Sequence, residues 1–156
     1  MQLTIDPDGA DATSRITAIR VALLSARMME LWRRGTRDMD TVMILVAVVA
    51  ITAERLTRSE LPEAQKALEE PIPPEMMAPC NVSSIAAATG LNRETARRRV
   101  KALVDEGLLV KSGRGEIYFP PGQLQQPAAR ALIRKQLEAV TRFVNESIRD
   151  GALKAA

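Results

Sequence analysis

The chain has 156 residues, enough for one compact core with appendages, and its 46% hydrophobic and 26% charged residues exclude a wholly disordered or fibrous chain. It holds no histidine and one cysteine, Cys80, which excludes a Ser-His-Asp or Cys-His nucleophile system, a Cys/His zinc site and an internal disulfide. Net charge is +3 and unevenly spread: residues 1–80 carry 9 basic and 12 acidic groups, residues 81–120 carry 7 and 4, and residues 121–156 carry 6 and 3.

Residues 1–12 contain Asp6-Pro7-Asp8-Gly9 and no apolar period, and read as a flexible tail. Residues 13–37 read as an N-terminal helix. From Thr13, a capping residue type, to Arg34, the side chains Ile16, Ile19, Leu23, Leu24, Met28 and Leu31 recur at steps of three and four, and Gly35 follows the Arg33-Arg34 pair as a stop. Trp32 is expected to anchor this helix, half-buried. A second helix is predicted from Asp40 to Thr57, with an acid at its positive end. Its centre, Val42 to Ala53, is apolar on nearly every face and should be the most buried element. The ten-residue apolar run Val42–Ile51 falls short of the roughly 20 residues that cross a bilayer. The acidic N-terminus has no basic and apolar signal regions, so a cytoplasmic chain with no membrane partner is expected.

Five of the nine prolines lie between Pro62 and Pro79, which predicts a long loop over about 60–80 with one short helix at Glu63–Glu70. Next come a helix from Ser83 to Thr89, a second from Asn92 to Glu106, and extended segments at Leu108–Lys111 and Glu116–Phe119. Residues 123–156 form the last appendage, a helix from about Pro127 to Arg149 stopped by Gly151.

The stretch Asn81 to Phe119 carries the functional pattern. Gly90 supplies the positive φ of a tight turn between two helices, Leu91 anchors that turn, and Asn92 can cap the second helix. Ala96, Val100 and Leu103 fall on one face of that helix, leaving Glu94, Arg98, Lys101 and Asp105 opposite, with Arg93 and Arg97 beside them. A helix seated in a DNA major groove has this character: apolar residues behind, and Asn, Arg or Thr near its N-terminus to reach bases and phosphates. Gly107 then stops the helix. The loop Ser112-Gly113-Arg114-Gly115 joins two short strands into a hairpin with a basic tip.

The phrase Ile85-Ala86-Ala87-Ala88-Thr89-Gly90-Leu91-Asn92-Arg93-Glu94-Thr95-Ala96-Arg97-Arg98-Arg99-Val100, continued by Leu103-Val104-Asp105-Glu106-Gly107-Leu108-Leu109, resembles the winged helix-turn-helix domains of bacterial transcription regulators of the MarR, ArsR and IclR groups. The resemblance implies a mainly α fold, with a winged helix-turn-helix core over residues 38–122, a small β-hairpin wing, and N- and C-terminal dimerisation helices. It implies double-stranded DNA as partner, recognition roles for Asn92, Arg93, Thr95, Arg97, Arg98 and Lys101, and a wing role for Arg114. It also implies a helix that completes the core, a place suited to Asp40–Thr57. The long Pro-rich connection departs from those families, where this link is shorter.

Arg99 lies nearer the core edge and is not expected at a base. The acidic residues are scattered, so no enzyme, no cofactor and no metal are expected. Cys80 reads as a small residue at a loop end, with a redox switch as the lesser reading. Met28, Met29, Met39, Met43, Met76 and Met77 suit core filling, or else an adaptable pocket for a small effector. Ile133, Leu137, Val140, Val144 and Ile148 form a stripe on the last helix, widened by Leu132 and Phe143. That stripe can pair two subunits into a homodimer or pack within one. The alternative to a DNA-binding regulator is a winged-helix module whose basic helix meets an acidic protein.

Overall fold

The computed structural model describes residues 2–33, 38–58 and 61–156. The chain is mainly helical, with two small antiparallel sheets of two strands each. Its elements in order are β1 (Leu3–Ile5), α1 (Pro7–Ala12), α2 (Ser14–Arg33), α3 (Met39–Thr52), α4 (Glu63–Lys66), α5 (Val82–Thr89), α6 (Arg93–Asp105), β2 (Val110–Lys111), β3 (Ile117–Tyr118), α7 (Pro127–Arg149) and β4 (Leu153–Ala155). Short 3-10 turns lie at Glu54–Thr57 and Pro74–Met76. Contacts divide the chain into a terminal unit, Met1–Gly35 with Ala131–Ala156, and a central unit, Thr36–Arg130. Among the described residues no helix is long and apolar enough to cross a membrane.

The central unit closes around Ile44 and Val48 of α3, Ile85 of α5, Val100 and Leu103 of α6, Ile117 of β3, and Cys80 and Leu109 from the connections. Each such aliphatic side chain contributes about 1.5–3 kcal/mol by leaving water. Local chemistry starts and stops these helices. Asp38 caps α3 by accepting from the Thr41 N–H at 3.0 Å. Asn81 and Ser84 cap α5 reciprocally, each side chain accepting the other's backbone N–H at 3.0 and 2.9 Å. Gly90 ends α5 at φ 70°, a left-handed geometry that a β-carbon would strain. Asn92 then opens α6 by accepting from the Glu94 N–H at 2.9 Å.

Two expectations for α3 change. The helix ends at Thr52 and only a 3-10 turn continues to Thr57. It holds five buried residues, yet Met43, Val46 and Val49 face solvent. A uniformly apolar sequence carries no direction, and α5, α6 and β3 pack against only part of the helix. The hairpin strands are also shorter than predicted. The Leu108 and Leu109 N–H groups both donate to the Leu103 carbonyl, at 2.9 and 3.2 Å, so these residues belong to the exit of α6. At the other end Glu116 N–H donates to Ser112 Oγ at 3.1 Å inside the turn. Val110 pairs with Tyr118 and Lys111 with Ile117. In the Pro-rich segment the short helix covers Glu63–Lys66 only.

Cys80 is 1% exposed and belongs to this core. Its carbonyl accepts from the Ile117 N–H at 2.7 Å, which lays the segment before α5 alongside β3. Burial pushes its thiol above the usual range, the opposite of what a reactive cysteine needs.

In the terminal unit, residues 3–12 are ordered, against the expectation of a flexible tail. β1 pairs antiparallel with β4, Leu3 opposite Ala155 and Ile5 opposite Leu153. Pro7 opens α1, where its fixed φ suits a first turn. Thr13 does not cap α2 by accepting a bond; its hydroxyl donates to the Gly9 carbonyl at 2.6 Å. Arg34 and the predicted stop at Gly35 lie outside the described residues. At the far end Gly151, at φ 83°, closes α7 as expected, with Ala152 N–H donating to Ser147 O and Gly151 N–H to Ile148 O, both at 3.0 Å. Arg20 of α2 holds this end of α7 by ion pairs to Glu146 and Asp150, both at 2.5 Å.

Among the described glycines Gly9 is the most tightly packed: an added β-carbon would lie 2.0 Å from the Gly151 carbonyl oxygen. Gly9→Ala is therefore expected to destabilise the terminal unit by about 1–3 kcal/mol, by overpacking against backbone that cannot yield. Gly113→Ala, where nothing lies within 4 Å, is the matched control. Thermal unfolding followed by circular dichroism checks this: equal midpoints for the two variants would refute the close packing.

Candidate functional site

α6 carries five basic and two acidic side chains in thirteen residues. Its setting in the core decides which of them are presented. Ala96, Val100 and Leu103 are buried, so Glu94, Arg97, Arg98, Lys101, Ala102 and Asp105 lie on the opposite side, exposed. Arg93 is exposed in the first turn and Thr95 is half-buried on the flank. The fold thus brings Arg93, Arg97, Arg98 and Lys101 together on one helix. Asn92, also exposed, spends its side-chain oxygen on the cap.

These cations stand in different electrostatic states. Arg97 is gripped by Glu94 through two bonds, Nε to Oε2 at 2.9 Å and Nη2 to Oε1 at 2.6 Å. That contact holds the Glu94 carboxyl below its usual range, with the charge of Arg98 adding to the effect, and raises the Arg97 guanidinium. Lys101 pairs with Asp105 at 2.5 Å one turn on. Arg93 and Arg98 have no ion pair among the described residues.

Arg99 belongs to another role, in keeping with its place at the core edge. Its guanidinium donates to Asp38 Oδ1 at 2.8 Å and pairs with Asp40 at 2.9 Å, tying the middle of α6 to the start of α3. Asp38 therefore serves two helices: it caps α3 and receives Arg99. Its carboxyl sits below the ordinary value, chiefly because the Thr41 N–H donates to it, with Arg99 adding to the effect.

The hairpin follows α6 and presents Arg114, exposed, at its tip. Ser112 organises the turn, its Oγ accepting from the Arg114 N–H at 3.3 Å and the Glu116 N–H at 3.1 Å. Lys111 of β2 was not among the expected site residues. It joins Arg97 and Lys101 around a groove of about 250 Å³ floored by Val82, Val100 and Val104. The approach of Lys111 to α6 is tertiary, and the only advance sign of it was a lysine next to a basic turn. No methionine lines this groove. Among the described residues no group of three or more Cys, Asp or Glu side chains could hold a metal ion.

Set against protein-family models, curated protein sequences and solved structures, the chain gives no significant match.

The Arg99 tie generates a stability prediction. Arg99→Met should destabilise the central unit by about 1 kcal/mol, a modest figure because the pair is partly solvated and screened by salt. The Asp38 carboxyl titrates lower in the folded chain than its ordinary 3.8. Its contribution is then complete above about pH 5 and is lost as pH falls through the folded value, since the unfolded chain binds the proton first. Asp38→Asn, which keeps a capping oxygen, should flatten the acid limb of stability between about pH 5 and 3. Denaturant titrations across that range measure both effects, and an unchanged limb would count against the tie.

Proposed function

We propose that this chain is a DNA-binding transcription regulator of winged helix-turn-helix type, a non-enzyme that acts without cofactor or metal. One observation carries the reading: after a three-residue turn, α6 buries Ala96, Val100 and Leu103 and turns Arg97, Arg98 and Lys101 to solvent, with Arg93 at its start. In this reading α5 and α6 form the helix pair, α3 completes the core behind them, and α6 lies in the major groove. The hairpin β2–β3 is the wing. Its Arg114 reaches the backbone or the adjacent minor groove, and Lys111 faces the phosphates that flank α6. Asn92 and Thr95 stand near the N-terminal end of α6, where base edges come closest.

The terminal unit supports the second part of the proposal, a homodimer. On α7 the residues Ile133, Leu137, Val140 and Ile148 remain exposed at steps that place them on one face, and on α2 Ile16, Ile19 and Leu23 do the same. Apolar surface on this scale on a single chain is unfavourable in water, and a second copy offers a matching stripe. If the two copies of α6 in a two-fold dimer enter successive major grooves on one face of the duplex, the half-sites lie about 10 bp apart.

Purified protein should bind duplex DNA with log affinity falling against log salt at a slope of about −5 to −9, the value for 6–10 phosphate contacts per dimer. Arg98→Ala should weaken specific binding by about 1–3 kcal/mol while leaving the melting temperature nearly unchanged, since Arg98 makes no ion pair among the described residues. Binding to acidic proteins with a flat response to every duplex would favour the protein-contact alternative.

Light scattering at micromolar concentration should show a dimer, and lysine at Leu137 and Val144 should abolish it. A stable monomer protecting one short asymmetric site would overturn the two-fold arrangement.

A further inference from the structure

We infer that Arg97 reads a guanine and that Glu94 is the residue that positions it, so that the duplex recognised by this chain contains a guanine beneath the second turn of α6. The inference rests on the DNA-binding reading above and specifies its chemistry.

The guanidinium of Arg97 has two edges that can form a pair of parallel hydrogen bonds. Glu94 occupies the inner edge, taking Nε and Nη2 at 2.9 and 2.6 Å. The outer edge, with one N–H on Nη1 and the second on Nη2, stays open. Two parallel donors at that spacing match the O6 and N7 acceptors of guanine in the major groove. Because Glu94 accepts both bonds from one planar group, they favour one orientation of its plane as well as one position. An arginine without such a partner must be ordered wholly on contact, whereas this one is biased beforehand towards the required plane.

The other cations of α6 lack this combination. Arg99 is committed to Asp38 and Asp40 of α3. Lys101 meets Asp105 as a point charge and has no second edge to offer. Arg93 and Arg98 are exposed, and among the described residues neither has a carboxylate bonded to its guanidinium to favour one plane.

Glu94 has a second consequence. It places a carboxylate, which Arg97 holds further below its usual range, on the face that would meet a polyanion. Binding through phosphates alone is disfavoured by that charge. The guanine contact compensates only where the base is present, so the pair raises discrimination more than affinity.

The test uses the full chain. Sites are selected from random duplexes, and the affinity of the wild type, Arg97→Lys and Glu94→Gln is measured on the best site, on random duplex, and on versions of the site with single guanines replaced by 7-deazaguanine, which lacks the N7 acceptor. The wild type should lose about 10-fold at one guanine. Arg97→Lys should distinguish the parent site from that analogue less than the wild type does, having lost the planar fork but kept the charge. Glu94→Gln should bind random duplex more tightly and reduce the ratio of specific to random affinity by about 10-fold. Guanine analogues sensed equally by the wild type and Arg97→Lys would overturn the reading role. A Glu94→Gln change that shifts specific and random affinity by one common factor would overturn the positioning role, leaving simple repulsion. Failure of the wild type to bind any selected duplex would instead remove the DNA-binding reading itself.

Discussion

What α6 presents to its surroundings depends on its rotation about its own axis, and that rotation is set by the burial of Ala96, Val100 and Leu103. Successive residues of a helix turn by about 100°, so a shift of one residue in what is buried would carry Arg97 or Arg99 into the core and bring an aliphatic side chain out. Hydrophobic burial alone is not directional and tolerates sliding along the axis. Arg99 supplies the missing direction. Next to Val100, it reaches two carboxylates at the start of α3, and charge-assisted bonds have a narrow range of length and angle. The apolar face and the polar tie select the same setting of the helix.

Ion pairs within this unit divide by what they join. The Arg99 pair spans α6 and α3, elements distant in sequence, and its side chain is 29% exposed. The Glu94–Arg97 and Lys101–Asp105 pairs join neighbours on one helix surface and are well over half exposed. In free solution the latter are each worth only a few tenths of a kcal/mol. They matter once a partner displaces the water around them, because the same charges then interact through a poorer dielectric.

The elements legible in the sequence are those whose signal is local. α6 and α7 have clear apolar periods, Gly90 and Gly107 mark turns that need positive φ, and Asn92 sits where a cap must be. The basic side chains of the site follow from the helix wheel once α6 is placed. What was not legible depends on partners distant in the chain. β1 and β4 are three-residue strands with ordinary composition, and nothing in either announces the other. The exposed side of α3 was hidden because Met43, Val46 and Val49 look as core-like as Ile44 and Val48. Asp38 was overlooked as a cap because the helix was read as starting at Asp40, two residues further on. The Glu94–Arg97 pair was readable as a spacing of three, but its two-bond geometry depends on side-chain rotamers that sequence does not specify.

The pairing of Leu3–Ile5 with Leu153–Ala155 makes the terminal unit discontinuous, with the whole of Thr36–Arg130 inserted between its two halves. Closing a disordered loop of that length is entropically unfavourable, and the penalty shrinks once the loop has condensed into a folded body. During synthesis from the N-terminus, β1 has no partner until Leu153–Ala155 has been made. Leu3 and Ile5 therefore wait unpaired, and the synthesis of Leu153–Ala155 becomes the event that lets this half of the molecule close.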